Sequence, residues 1–223
     1  MGWLSRKGKR RAEGLSDAVL FDSFQSMGDD CEFGLVQTHF GATQIGLCKS
    51  AYTPADSLML MLETRFVDML KTGLAIRLDN QVHIGDRIEY AAIVDLYGTR
   101  YHTQVWVPAD EGTVVAKERK RLALLARTFI EDLEDGEKIF VIKAHSRTQV
   151  EAICDRIRNY GSATLLWVTP AQPGSPAGHV EWLSEGLMLG RIDHLARSML
   201  PFDADLCGRR EVCRSALALQ NSR

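Results

Sequence analysis

No apolar run in the chain approaches the roughly 18 residues that a membrane-spanning helix needs; the most apolar stretch, "SLMLMLE", is short and flanked by charge. No transmembrane segment is expected. The glycine-rich and nucleophile signatures GxGxxG, GxxxxGK and GxSxG are absent, so a dinucleotide enzyme, a phosphate-loop enzyme and a standard serine hydrolase each lack their local chemistry. No CxxC pair occurs, and no His, Asp or Glu cluster has metal-ligand spacing, so neither a metal nor another cofactor is expected. Five cysteines (Cys31, Cys48, Cys154, Cys207, Cys213) are an odd, irregularly spaced set, which argues against a disulfide framework. The N-terminus has basic residues without a following apolar stretch or small-residue cleavage site, so it does not read as a secretory signal, and the cytoplasm is the expected compartment.

Net charge is small and unevenly spread. The net charge is −2, yet Arg6, Lys7, Lys9, Arg10 and Arg11 stand together with no acid before Glu13. Residues 1–16 read as a basic, disordered leader that could touch an anionic membrane surface weakly. The body that follows is acidic and presents no basic face, which excludes a dedicated nucleic-acid binder.

From residue 17 the pattern is globular, and a single α/β domain over 17–223 is the economical reading. "LFDSFQSM" reads as a short strand, "GDD" as a turn and helix cap, and "CEFGLVQTHF" as a helix closed by Gly41. Thr53 as cap and Pro54 at the first position open a second helix, with an apolar stripe through Leu58, Leu62, Phe66 and Met69 up to Gly73. Residues 76–107 alternate β-branched and aromatic residues between Asp-Asn, Gly-Asp and Gly-Thr turns, as a small antiparallel meander does. "ERKRLALLARTFIEDLEDG" is an amphipathic helix with Gly136 just beyond its end, and the remainder is β-α-β: "KIFVIKA", a helix with the capping box Ser146 to Gln149, and "TLLWVT". A loop with three of the six prolines, the strands "HVEWL" and "GLMLGRID", and a terminal helix from Leu206 complete the chain. The expected fold is a layered α/β domain whose C-terminal part holds a mostly parallel sheet.

Cys31 is the chemically suggestive residue. At a helix start the backbone N–H groups and dipole favour the thiolate and can support an oxyanion beside it. Gly28 would let a substrate backbone approach closely. Asp29, Asp30 and Glu32 work the other way, by repelling a thiolate, unless they serve as caps pointing elsewhere. A nucleophilic cysteine needs a base, and the six histidines are His39, His83, His102, His145, His179 and His194. His102 lies in a polar break of the meander, while His145 and His194 end strands where α/β sheets place their ligands. Gln25, six residues before Cys31, carries an amide suited to an oxyanion. Glu63 and Arg65 fit a surface ion pair, and Tyr160, Trp167 and Trp182 fit the core.

In order along the chain, "FDSFQSMGDDCEFGLVQTHFGA", "IGLCKSAYTPADSLMLMLETRF", "YGTRYHTQVW", "GEKIFVIK", "YGSATLLWV" and "GRIDHLA" resemble a bacterial family of uncharacterised papain-like cysteine peptidases with a GDxCEFG motif. The resemblance spans about residues 20–196. It implies Cys31 as nucleophile, His102 as base and Gln25 in the place of the oxyanion glutamine, with Asp193 and Asn159 as candidates for a third member. Thr38 stands where the family motif tends to have Arg. The family often accompanies surface-polysaccharide biosynthesis genes.

The expected function is therefore a thiol-dependent hydrolase or acyl/amide transferase acting on a small-molecule, glycan or peptide substrate. Cys31, His102 and Gln25 are its catalytic candidates, and Gly28, Asp29, Asp30, Arg65 and Asp193 its binding candidates. The alternative is a non-catalytic sugar or nucleotide-sugar binding accessory protein that uses the GDD turn and the loop after "GRID".

Overall fold

The computed structural model describes residues 14–143, 145–196 and 203–222, with Asn80 and Gln81 described by backbone alone. The basic residues of the expected leader lie outside the described residues.

Two sheets organise the chain. The first is five-stranded, in the order β1 (Phe24–Ser26), β6 (Ile139–Lys143), β7 (Thr164–Pro170), β9 (Leu187–Ile192), β8 (Val180–Ser184). Its first four strands are parallel, and β8 returns antiparallel on β9. The second is the meander β3 (Ile76–Ile84), β4 (Arg87–Val94), β5 (Thr99–Trp106), extended by the two-residue β2 (Ala51–Tyr52) on the outer edge of β5. The domain is α/β, with a mostly parallel sheet supplied chiefly by the C-terminal part and an antiparallel meander in the middle.

Strand alternation sorts the core into two clusters on opposite faces of the parallel sheet. Phe140, Ile142 and Leu165 face one way, toward α3 (Ala55–Glu63), α4 (Glu111–Asp135), α5 (Arg147–Arg158) and the inner face of the meander. Ile139, Val141, Leu166 and Met188 face the other, toward α1 (Asp17–Asp22), α2 (Glu32–His39) and α6 (Leu206–Gln220). Phe129 of α4 seals the first cluster, its ring edge-on to Phe66 and Phe140 with centroids 5.4 and 5.2 Å apart.

The first half of "LFDSFQSM" is helical rather than extended. Ser16 Oγ accepts from the Val19 amide at 3.4 Å, and Leu20 and Phe21 turn together into the second cluster, which a strand would have placed on opposite faces. The helix after Thr53 is also shorter than its apolar stripe. It ends at Glu63, because Thr64 Oγ1 donates back to Leu60 O at 2.8 Å and Arg65 and Phe66 both adopt left-handed backbone. Pro54, not Thr53, occupies its N-cap. The capping box of α5 and the left-handed Gly136 after α4 stand where the sequence puts them.

Candidate active site

Cys31 follows β1 at the carboxyl end of the parallel sheet and occupies the N-cap of α2. Gly28 makes the turn with φ +85°, and its carbonyl accepts from the Thr53 amide at 2.6 Å, which ties the turn to the segment entering α3. Further along α2, Gly34 lies so close to the segment before β2 that an added Cβ would sit 1.8 Å from Lys49 O. These contacts bring the N-terminal end of α2 up to the meander. The His102 amide donates to Ser50 O at 3.1 Å in the same region.

The structure brings Cys31 beside His102, close enough for hydrogen bonding and charge at the sulfur to raise the imidazole. His102 Nδ1 lies 3.1 Å from Glu89 Oε2, which leaves Nε2 for the thiol. Glu89 is buried on β4, and its second oxygen, Oε1, accepts from the Gln104 amide at 2.6 Å. Hydrogen bonding to Cys31 and to Glu89 raises His102 to about 10 against a partial opposing effect of burial, so the ring is imidazolium at neutral pH. For Glu89, burial acts to raise the pKa, but the bonds from His102 and the Gln104 amide outweigh it and hold the carboxyl below its ordinary value. The arrangement is a Cys–His–Glu line with Cys31 7% exposed as a residue and the His102 side chain 27% exposed.

The three acids beside the thiol turn away from it. Asp30 Oδ1 accepts from the Glu32 amide at 2.8 Å, and Oδ2 lies 2.6 Å from Lys143 Nζ. Glu32 is buried between Lys143 Nζ and Arg209 Nη2, the latter 2.6 Å from its Oε1. Burial acts to raise Glu32, but the positive charge of Arg209 and the hydrogen bond and charge of Lys143 lower it overall. Asp29 accepts from the Lys143 amide at the end of β6. Although the residue is partly exposed, burial of its carboxyl raises it to about 7, so it is only partly charged at neutral pH. Two cations and one half-neutral carboxyl thus remove most of the repulsion that the sequence "GDDCE" suggests.

The other candidates fall elsewhere. Gln25 is buried on β1 with Nε2 donating to Asp132 on α4 and Oε1 packed against Gly46, so its amide is engaged in tying β1 to α4. Arg65 pairs with Glu134 and stacks over Tyr160 at 4.3 Å, and Glu63 sits 3.7 Å from Arg156. Asp193 is exposed at the end of β9, and its amide donates to Asp205 Oδ2 at 2.7 Å. Asn159 caps α5. His39 lies against Phe40, His83 is exposed on β3, His179 sits 3.7 Å from Glu181, and His194 meets Asp203 O at 3.1 Å. Burial lowers His145, whose Nε2 has no hydrogen-bond partner among the described residues.

Glu89, Lys143 and Arg209 were not among the residues the sequence singled out. The available signal for Glu89 was a lone acid inside the otherwise apolar "EYAAIV". No protein-family model, curated protein or solved structure matches the chain. Among the described residues, no helix is long and apolar enough to cross a membrane.

Proposed function

We propose that the protein is a thiol-dependent hydrolase or acyl transferase with Cys31 as nucleophile, His102 as general acid–base and Glu89 as the group that orients and charges the imidazole. The observation carrying this reading is the placement of Cys31 beside His102, whose Nδ1 lies 3.1 Å from the buried Glu89 carboxylate. The family resemblance around GDDCEFG points the same way.

The chemistry runs through a thiolate–imidazolium pair. Cys31 Sγ attacks a carbonyl carbon, the carbonyl π electrons move to oxygen, and the dipole at the start of α2 favours the resulting negative charge. Collapse of that intermediate breaks the bond to the amine or alcohol leaving group, which takes its proton from the imidazolium. Water, or an acceptor nucleophile in a transferase, then loses its proton to His102 and attacks the thioester, which releases Sγ. Glu89 keeps Nδ1 protonated through both steps.

Iodoacetamide labelling mapped by mass spectrometry at a series of pH values tests the reading. Cys31 should react at pH 6 at least tenfold faster than the exposed Cys207, although it is the more buried of the two. If Cys31 reacts no faster than Cys207, with a midpoint at about 8.5 or above, the nucleophile assignment fails.

A further inference from the structure

The strand that carries His102 is irregular just beyond it. Ala91 pairs with His102 and Glu89 with Trp106, so residues 103–105 of β5 face Tyr90 alone on β4. A regular antiparallel pair would place one residue there. Within this bulge Gln104 has φ +58°, a conformation that side-chain-bearing residues seldom hold and that is often found where function demands it. Thr103 fastens the distortion: its hydroxyl donates to Tyr90 O at 2.6 Å and accepts from the Val105 amide at 3.0 Å.

The bulge has a directional effect. The His102 amide points outward, to Ser50 O before β2, and in regular alternation the Gln104 amide would point the same way. It points inward instead, 2.6 Å from Glu89 Oε1, while Oε2 of the same carboxylate meets His102 Nδ1.

We infer that Gln104 is a positioning residue of the thiol site, whose inward-turned backbone N–H fixes the Glu89 carboxylate against His102. This rests on the catalytic reading given above. Glu89 is otherwise faced by His102 and the Thr103 backbone from β5, the latter a weaker contribution than the Gln104 amide, by apolar Val82 across β3, and by Trp106, over which the Arg87 guanidinium stacks at 3.9 Å. With the N–H gone, the carboxylate loses a donor to its ionised form, so Glu89 must titrate higher.

The test replaces the Gln104 amide by an ester, through incorporation of the α-hydroxy acid analogue of glutamine in the full chain. This removes the N–H and leaves the side chain. Glu89 is followed by carboxyl NMR, and Cys31 labelling is followed against pH. The ester should raise the Glu89 midpoint by about one unit and move the acid limb of Cys31 labelling upward with it. Gln104→Gly keeps the N–H and relieves the left-handed backbone, so it should leave both profiles within about twofold of the wild type. An unmoved Glu89 midpoint in a folded ester variant overturns the inference, because a role confined to shaping the strand predicts that result. So does an equal shift in Gln104→Gly. If Cys31 shows no accelerated labelling in the wild type, the catalytic reading fails, while the Glu89 titration still decides the Gln104 contact.

Discussion

Replacing Lys143 by methionine removes one cation from the carboxylates of buried Glu32 and part-exposed Asp30 beside Cys31 and changes the side-chain volume little. Lys143 Nζ contacts Glu32 and lies 2.6 Å from Asp30 Oδ2, with 8% of its side chain exposed. Glu32 would keep Arg209 at 2.6 Å and the Ala196 amide at 3.3 Å. Breaking a buried pair from one side costs about 3–5 kcal/mol, and the surviving arginine puts this case at the low end, about 3 kcal/mol. The Asp30 contact is 35% exposed on the acid side and adds less than about 1 kcal/mol. Urea denaturation at pH 7 with an unchanged m-value measures the loss. On a Glu32→Gln background the same replacement should cost at least about 1 kcal/mol less, because the uncompensated charge is gone. The pH dependence has a definite sign. Glu32 is depressed below its ordinary 4.5, so its ion pairs contribute stability above that value and lose it as the pH falls through the folded pKa. The gap between wild type and variant should therefore narrow below about pH 4.5. A loss under about 1 kcal/mol at pH 7, or the same loss with Glu32→Gln, would refute the account of how the acids are neutralised.

Three other outcomes follow from the geometry. Gly34→Ala places a methyl 1.8 Å from Lys49 O, so α2 must shift; the protein should lose more than about 3 kcal/mol by urea denaturation, and a loss under about 1 kcal/mol would contradict the packing. Phe129→Ala removes a ring in edge contact with both Phe66 and Phe140 and should lower stability by about 3–5 kcal/mol, with thermal unfolding as the readout. Glu89→Gln removes the charge on His102 Nδ1. Because His102 is raised from 6.5 to about 10, its pairing stabilises the fold fully below 6.5 and is lost as the pH rises toward 10; the variant should lose it at lower pH, and an unchanged imidazole midpoint by ¹⁵N NMR would sink the Cys–His–Glu assignment.

The parts of the fold that were legible in the sequence are those set by local chemistry. The capping box at Ser146, the αL glycine at 136 and the strand-like alternation of 76–107 are each decided within a few residues. The errors come where tertiary contacts override local pattern. Leu20 and Phe21 form a helix because both fit the same core cluster, and the stripe after Leu62 breaks because Thr64 closes the helix and Phe66 turns to meet Phe129. Gln25 had the right spacing from Cys31 for an oxyanion amide, yet it sits on the opposite side of the sheet from Phe24 and Ser26, where Asp132 is the partner at hand.

Cys31 and Glu32 show why charge near a thiol cannot be judged by sequence distance. They are consecutive, but at a helix start successive side chains point about 100° apart. Glu32 enters the space between β6 and α6, where Lys143 and Arg209 meet it; Cys31 turns to the meander and meets His102. The two environments are built by different strands. The parallel sheet supplies Lys143 at the carboxyl end of β6, and the meander supplies Glu89 and His102 from the neighbouring β4 and β5. A carboxylate twice compensated on one side of α2 exerts little net repulsion on the Cys31 sulfur on the other. The cluster of acids in "GDDCE" therefore serves to fasten the helix start to β6 and α6, and it leaves the electrostatics of the thiol to His102 and Glu89.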